Sequence, residues 1–143
     1  MERGYWGEFD PVTAGVPMDS VFSNHVSLGT DDSQVDSFRF GFWYLIPGAT
    51  EGPNRCPAVR GWNGEAPPGA ISRCGDDWSG EFEGLSFQDE WPPGSGCPPP
   101  VTFEQAVTCR VVATTVEHHY EVPVLVEGTV FCDDLEITFT VGR

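Results

Sequence analysis

Leu135-Glu136-Ile137-Thr138-Phe139-Thr140-Val141 alternates apolar and polar residues without a break. A period of two places Leu135, Ile137, Phe139 and Val141 on one face and Glu136, Thr138 and Thr140 on the other, the signature of a strand with one buried side. The same pattern recurs over Ser37–Leu45, where Phe38, Phe40, Phe42 and Tyr44 alternate with Ser37, Arg39, Gly41, Trp43 and Leu45. The far end of that segment is apolar on both sides, and Pro47-Gly48 stops it.

Upstream of the final strand, Val101–Val116 is rich in the β-branched residues that suit a pleated surface, with a short helical turn at Phe103-Glu104-Gln105-Ala106 as a local alternative. Tyr120–Val126 follows, Glu127-Gly128 carries a two-residue hairpin signal, and Asp133-Asp134 reads as a turn or a bulge. Ser79–Gln88 reads as a further strand with a bulge at Gly84. In the first 34 residues the strand candidates are short, Ser20–Phe22 and His25–Leu28, and Gly29–Ser33 is a turn by composition. No segment repeats apolar residues at i, i+3, i+4 and i+7 over three turns, which excludes long helices. The expectation is an all-β, antiparallel two-sheet sandwich, immunoglobulin-like or jelly-roll, with long loops. One domain covers residues 1–143, with 47–100 a loop-rich insertion and 101–143 a strand meander.

Composition sets the surroundings. With 39% hydrophobic and 13% aromatic residues the chain can bury a core, while 17 glycines and 13 prolines demand substantial loops. The 22 acidic residues face seven basic ones, all arginine (Arg3, Arg39, Arg55, Arg60, Arg73, Arg110 and Arg143), for a net charge of −15. Such a chain repels phosphate backbones and anionic membrane surfaces, so neither nucleic acid nor a membrane is an expected partner. Lysine-free acidity suits a high-salt source, and a GC-rich coding sequence accounts for it equally well. No run of apolar residues is long enough to span a bilayer, and Met1–Glu8 lacks the apolar stretch of a signal peptide.

The cysteines Cys56, Cys74, Cys97, Cys109 and Cys132 stand singly, without a Cys-x-x-Cys pair, which favours disulfides over thiolate metal ligation. An odd count leaves one over. A Cys56–Cys74 bridge would close a loop of roughly 17–19 residues and stabilise by about 3 kcal/mol. Disulfides imply an oxidising location, outside a cell or on a particle surface. His118 and His119 are adjacent on a strand and point to opposite faces, a poor start for a metal site. Calcium is the one cation for which loop carboxylates offer a donor set, at Asp31, Asp32 and Asp36, with a second group at Asp76, Asp77, Glu81 and Glu83; an acidic solvated face explains the same residues. No other cofactor is expected.

No nucleophile elbow, zinc-protease motif or phosphate loop is present. Tryptophans flanked by turn residues or acids offer stacking faces for a sugar ring, and Trp62, Asn63, Asp77, Trp78, Glu90 and Trp91 are the ligand-binding candidates; lids folded over an undersized core are the competing explanation. The expected function is a non-enzymatic structural or interaction module of an extracellular assembly, such as a virion decoration or tail component, a surface layer or a filament subunit. Its expected partners are other protein subunits, in a homo-oligomer or larger assembly. The alternative is a carbohydrate-binding module using the loop tryptophans.

Overall fold

The computed structural model describes residues 2–31, 34–46, 58–90 and 101–143. They form nine strands: β1 (Glu2–Asp10), β2 (Val21–Asp31), β3 (Gln34–Leu45), β4 (Val59–Ala66), β5 (Ile71–Cys74), β6 (Asp77–Glu90), β7 (Val101–His119), β8 (Val122–Cys132) and β9 (Leu135–Gly142). Two short 3₁₀ turns, Pro11–Ala14 and Met18–Ser20, carry the chain from β1 to β2. Among the described residues there is no α-helix.

All pairings are antiparallel, and the sheet closes on itself. The order β4-β3-β2-β1-β9-β8-β7-β6 returns to β4 through pairs running from Arg60↔Gln88 to Gly64↔Gly84. This is an eight-stranded up-and-down barrel. The short β5 is the extra strand: it pairs with the first residues of β6, from Ile71↔Gly80 to Cys74↔Asp77, in line with β4 along the same side of β6.

The two-sheet sandwich expectation is corrected to this single closed sheet. Alternation defines a strand with one buried face, and both architectures are built from such strands. The closing partners β1 and β4 are written weakly, with Gly4, Gly7, Gly61 and Gly64 interrupting the pattern, so their contribution to closure is hidden in the sequence. Three local expectations also change. Glu127-Gly128 lies in the middle of β8, and Phe103–Ala106 is strand throughout. The β6–β7 register runs through Gly84 without a shift, so there is no bulge there. The hairpin between β7 and β8 turns instead at Tyr120-Glu121, both at positive φ (50° and 65°), the mirror-image geometry that matches strand twist. Asp133-Asp134 is a turn, with Asp133 at φ 56°.

Residues of one parity on each strand fill the bore. Phe9, Phe38, Phe40, Phe42, Phe82 and Phe139 form a buried ring cluster with centroids 5.6–6.2 Å apart, most of them edge to face. Eight strands leave a bore just wide enough for such side chains, so the barrel is a packed core rather than a chamber. Cys109 and Cys132 are directly opposed on β7 and β8, fully buried, and joined by a disulfide. Tyr5, also buried, donates its hydroxyl to the Pro123 carbonyl at 2.7 Å, and its ring meets Trp78 edge-on at 6.2 Å.

Candidate functional site

One end of the barrel carries the features that the packed interior lacks. β3 ends and β4 begins there, β6 ends and β7 begins, and the turn from β8 to β9 lies there too. Strands β6 and β7 outrun their neighbours at this end. Their pairing extends from Asp77↔Thr114 to Glu90↔Val101, whereas β8 stops at Cys132, opposite Cys109. Along Val101–Thr108, β7 therefore has β6 on one side and no strand on the other among the described residues. Both faces of Val101–Ala106 are exposed, including Val101 at 49% and Phe103 at 55%.

The disulfide identifies which backbone groups face the open side. The Cα atoms of Cys109 and Cys132 are 4.2 Å apart, the spacing of a non-hydrogen-bonded pair, so the N–H and C=O of Cys109 point toward β6. The register between β6 and β7 continues without a shift, and the direction alternates residue by residue. Thr102, Glu104, Ala106 and Thr108 therefore direct their N–H and C=O groups outward from the sheet.

Beside this edge is the mouth of the barrel. The Tyr44 and Trp62 rings stack at 6.2 Å with 25° between planes, and the Arg60 guanidinium lies 4.0 Å from the Trp62 ring centroid. Arg60 Nη1 donates to the Ser86 hydroxyl at 3.0 Å and to the carbonyls of Phe87 and Gly61 at 2.9 and 3.2 Å, tying β4 to β6 at the seam of closure. A concavity of about 350 Å³ lies here, lined by Thr13, Tyr44, Trp62, Asp134 and Glu136 among others. Burial pushes the Tyr44 phenol above its usual range; Arg60 opposes that shift and Asp134 adds to it.

The residues singled out in the sequence do not converge. Trp62 and Trp78 are 5% and 2% exposed, interior side chains without an open ring face for a sugar. Asn63 sits on the outer wall of β4, and Asp77 accepts a hydrogen bond from the Thr114 hydroxyl at the opposite end of the barrel. Glu90 is the last residue of β6, and Trp91 lies outside the described residues. Of the cysteines, Cys109 and Cys132 are bridged, while Cys56 and Cys97 lie outside the described residues. The expected Cys56–Cys74 bridge is corrected: Cys74 is an exposed free thiol. It pairs with Asp77 at the start of β6, whereas the chain after Cys56 enters the sheet at Arg60↔Gln88, eleven residues farther along β6 and roughly 35 Å away. Asp31 and Asp36 fall on β2 and β3, and Asp32 lies outside the described residues. His118 hydrogen-bonds Asp76 at 2.9 Å; no group of three metal-ligating side chains occurs among the described residues.

Sequence reasoning missed the exposed edge, Tyr44 as a lining residue and Arg60. Val101–Thr108 was legible as a strand, but that β8 ends short of it is a property of topology.

No protein-family model, curated protein or solved structure matches the chain.

Proposed function

We propose that this barrel is a non-enzymatic interaction module, a subunit of a larger extracellular assembly, which engages its neighbours at the open end. The observation that carries this reading is the side of β7 over Val101–Thr108 that has no strand partner among the described residues. Natural sheets protect exposed edges with lysine, proline, bulges or short strands. This edge has eight residues, no lysine or proline, a regular register and one charge, Glu104, in a chain that carries 22 acidic residues. An added strand from another protein would satisfy its backbone groups and cover Phe103. The buried disulfide agrees with work outside a reducing compartment, where a surface layer, a filament or a virion shell would place it.

Sedimentation and native mass spectrometry across a concentration series test this. Species larger than one chain are expected, and they should grow with added salt, because the net charge of −15 repels like copies and salt screens it. A strict monomer at high concentration and high salt would overturn the reading.

A second reading rests on the concavity beside Tyr44, whose aromatic wall, threonine hydroxyl and carboxylates suit the hydroxyls of a sugar. Unchanged tyrosine and tryptophan fluorescence over a glycan panel would remove it.

A further inference from the structure

We infer that the concavity at the barrel mouth takes the terminal residue of a neutral, hydroxyl-rich glycan, with the Trp62 indole N–H donating to a sugar oxygen and the Asp134 and Glu136 carboxylates accepting from its hydroxyls. The inference rests on the second, sugar reading above and adds the donor, the charge of the ligand and the way it enters.

Trp43, Trp62 and Trp78 each bury an indole nitrogen that has no hydrogen-bond partner among the described residues. A buried donor left unpaired is costly, and each one in a folded protein calls for an explanation. Trp62 is the one of the three that borders the mouth concavity. Its ring is in contact with Tyr44 and with the Arg60 guanidinium, so it offers a ligand its N–H edge rather than a stacking face.

The place of this donor in the fold sets the shape of the site. β4, which carries Trp62, and β9, which carries Leu135 and Glu136, stand four strands apart in either direction round the closed sheet. A concavity lined by all three residues therefore spans the mouth. Below it the bore is filled: Phe42 and Ile137, the next inward side chains from Tyr44 and Leu135, are fully buried. Such a dead end is entered by the end of a glycan. Its volume of about 350 Å³ lies at the small end for ligand pockets and suits a single ring.

The polar groups narrow the chemistry. The Trp62 N–H only donates, and the carboxylates of Asp134 and Glu136 only accept. A cation brings donors but no acceptor for Trp62. An anion brings acceptors alone, and meets two carboxylates on a chain of net charge −15. A hydroxyl both donates and accepts, and a sugar presents several of them on one ring.

The test uses the full, isotope-labelled chain, with methyl glycosides of neutral hexoses as probes. The readout is the Trp62 indole N–H resonance, assigned by its loss in Trp62→Phe. At least one glycoside should shift it saturably while the Trp43 and Trp78 indole signals stay in place. Asp134 and Glu136 are exposed, so Asp134→Asn and Glu136→Gln should fold normally, which circular dichroism checks. Each should weaken binding by about tenfold, the loss of one hydrogen bond to a charged group. These two variants decide the matter even where Trp62→Phe does not fold. A methyl uronide should bind about tenfold more weakly than its neutral counterpart. N-methylacetamide at matched concentration should leave the Trp62 signal unmoved. A trisaccharide ending in the same residue should bind about as well as the single ring. Glycoside binding with the Trp62 signal unmoved, or undiminished in both carboxylate variants, would overturn this arrangement and leave the sugar reading standing. So would a uronide or the amide binding as well as the neutral glycoside, or a trisaccharide binding about tenfold more tightly. No response to any glycoside or to any member of a glycan panel would overturn both.

Discussion

Gly84 on β6 lies against the Cys109 sulfur: a Cβ at this glycine would stand 2.5 Å from Sγ and 3.1 Å from the Asn63 carbonyl oxygen. The glycine is thus a space requirement of the disulfide, on a strand whose register is otherwise regular. Gly84→Ala should destabilise by about 1–3 kcal/mol through overpacking. In a Cys109→Ala/Cys132→Ala background the same substitution should cost much less, and a double-mutant cycle from denaturant unfolding reads the difference.

Removing the bridge alone should lower stability by about 3 kcal/mol, the loop entropy of its sequence separation of 23 residues. Unfolding in urea with and without a reductant that reaches the unfolded chain would measure it. A midpoint independent of the bridge would contradict this assignment.

Tyr5→Phe deletes a buried hydroxyl and leaves the Pro123 carbonyl without that partner. The expected loss is about 1–2 kcal/mol, visible as a lower thermal midpoint. The Tyr5–Trp78 ring contact survives the change, so near-ultraviolet circular dichroism should hold its shape.

Tyr44 makes stability pH-dependent on the alkaline side. Its folded pKa is raised above the ordinary tyrosine value of 10.0, chiefly by burial, so the folded state holds the proton more tightly than the unfolded chain. That contribution is fully present below pH 10 and is lost as pH rises through the folded pKa. Tyr44→Phe should flatten the fall in melting temperature above pH 10 and leave the neutral region unaffected by titration.

Arg60→Lys keeps a positive charge but loses the planar fork that reaches Ser86, Phe87 and Gly61 while covering Trp62. The seam between β4 and β6 should weaken by about 1–3 kcal/mol. Faster amide exchange confined to Arg60–Gly64 and Gly84–Gln88 would locate the effect.

The strands with strict alternation, β3 and β9, could be read from sequence because each buries one unbroken row of large side chains. β1 and β4 could not, since glycines on them make room for neighbours: a Cβ at Gly61 would collide with Phe87 and Trp43, rings that sit on other strands. The exchange of a sandwich for a barrel follows from those two strands. Glu127-Gly128 misled for the same reason, as Gly128 yields space to Phe139 and Ala113 rather than turning the chain. The pairing of Cys109 with Cys132 depends on the β7–β8 register, which neither cysteine's local sequence specifies. Trp62 and Trp78 looked like loop residues because their flanking acids and glycines hide an inward parity that only the closed sheet defines.

Cys109–Cys132 occupies the last rung of the β7–β8 ladder, where the paired part of β7 passes into its open stretch. A pull on residues 101–108 that would peel β7 from β8 therefore meets a covalent bond before any hydrogen bond between those two strands is loaded. Unzipping of β7 from β8 is blocked at its first step, and on that side the load passes into the barrel wall as shear across many rungs together. Force applied at this end leaves the seam between β7 and β8 closed for as long as the bridge is oxidised.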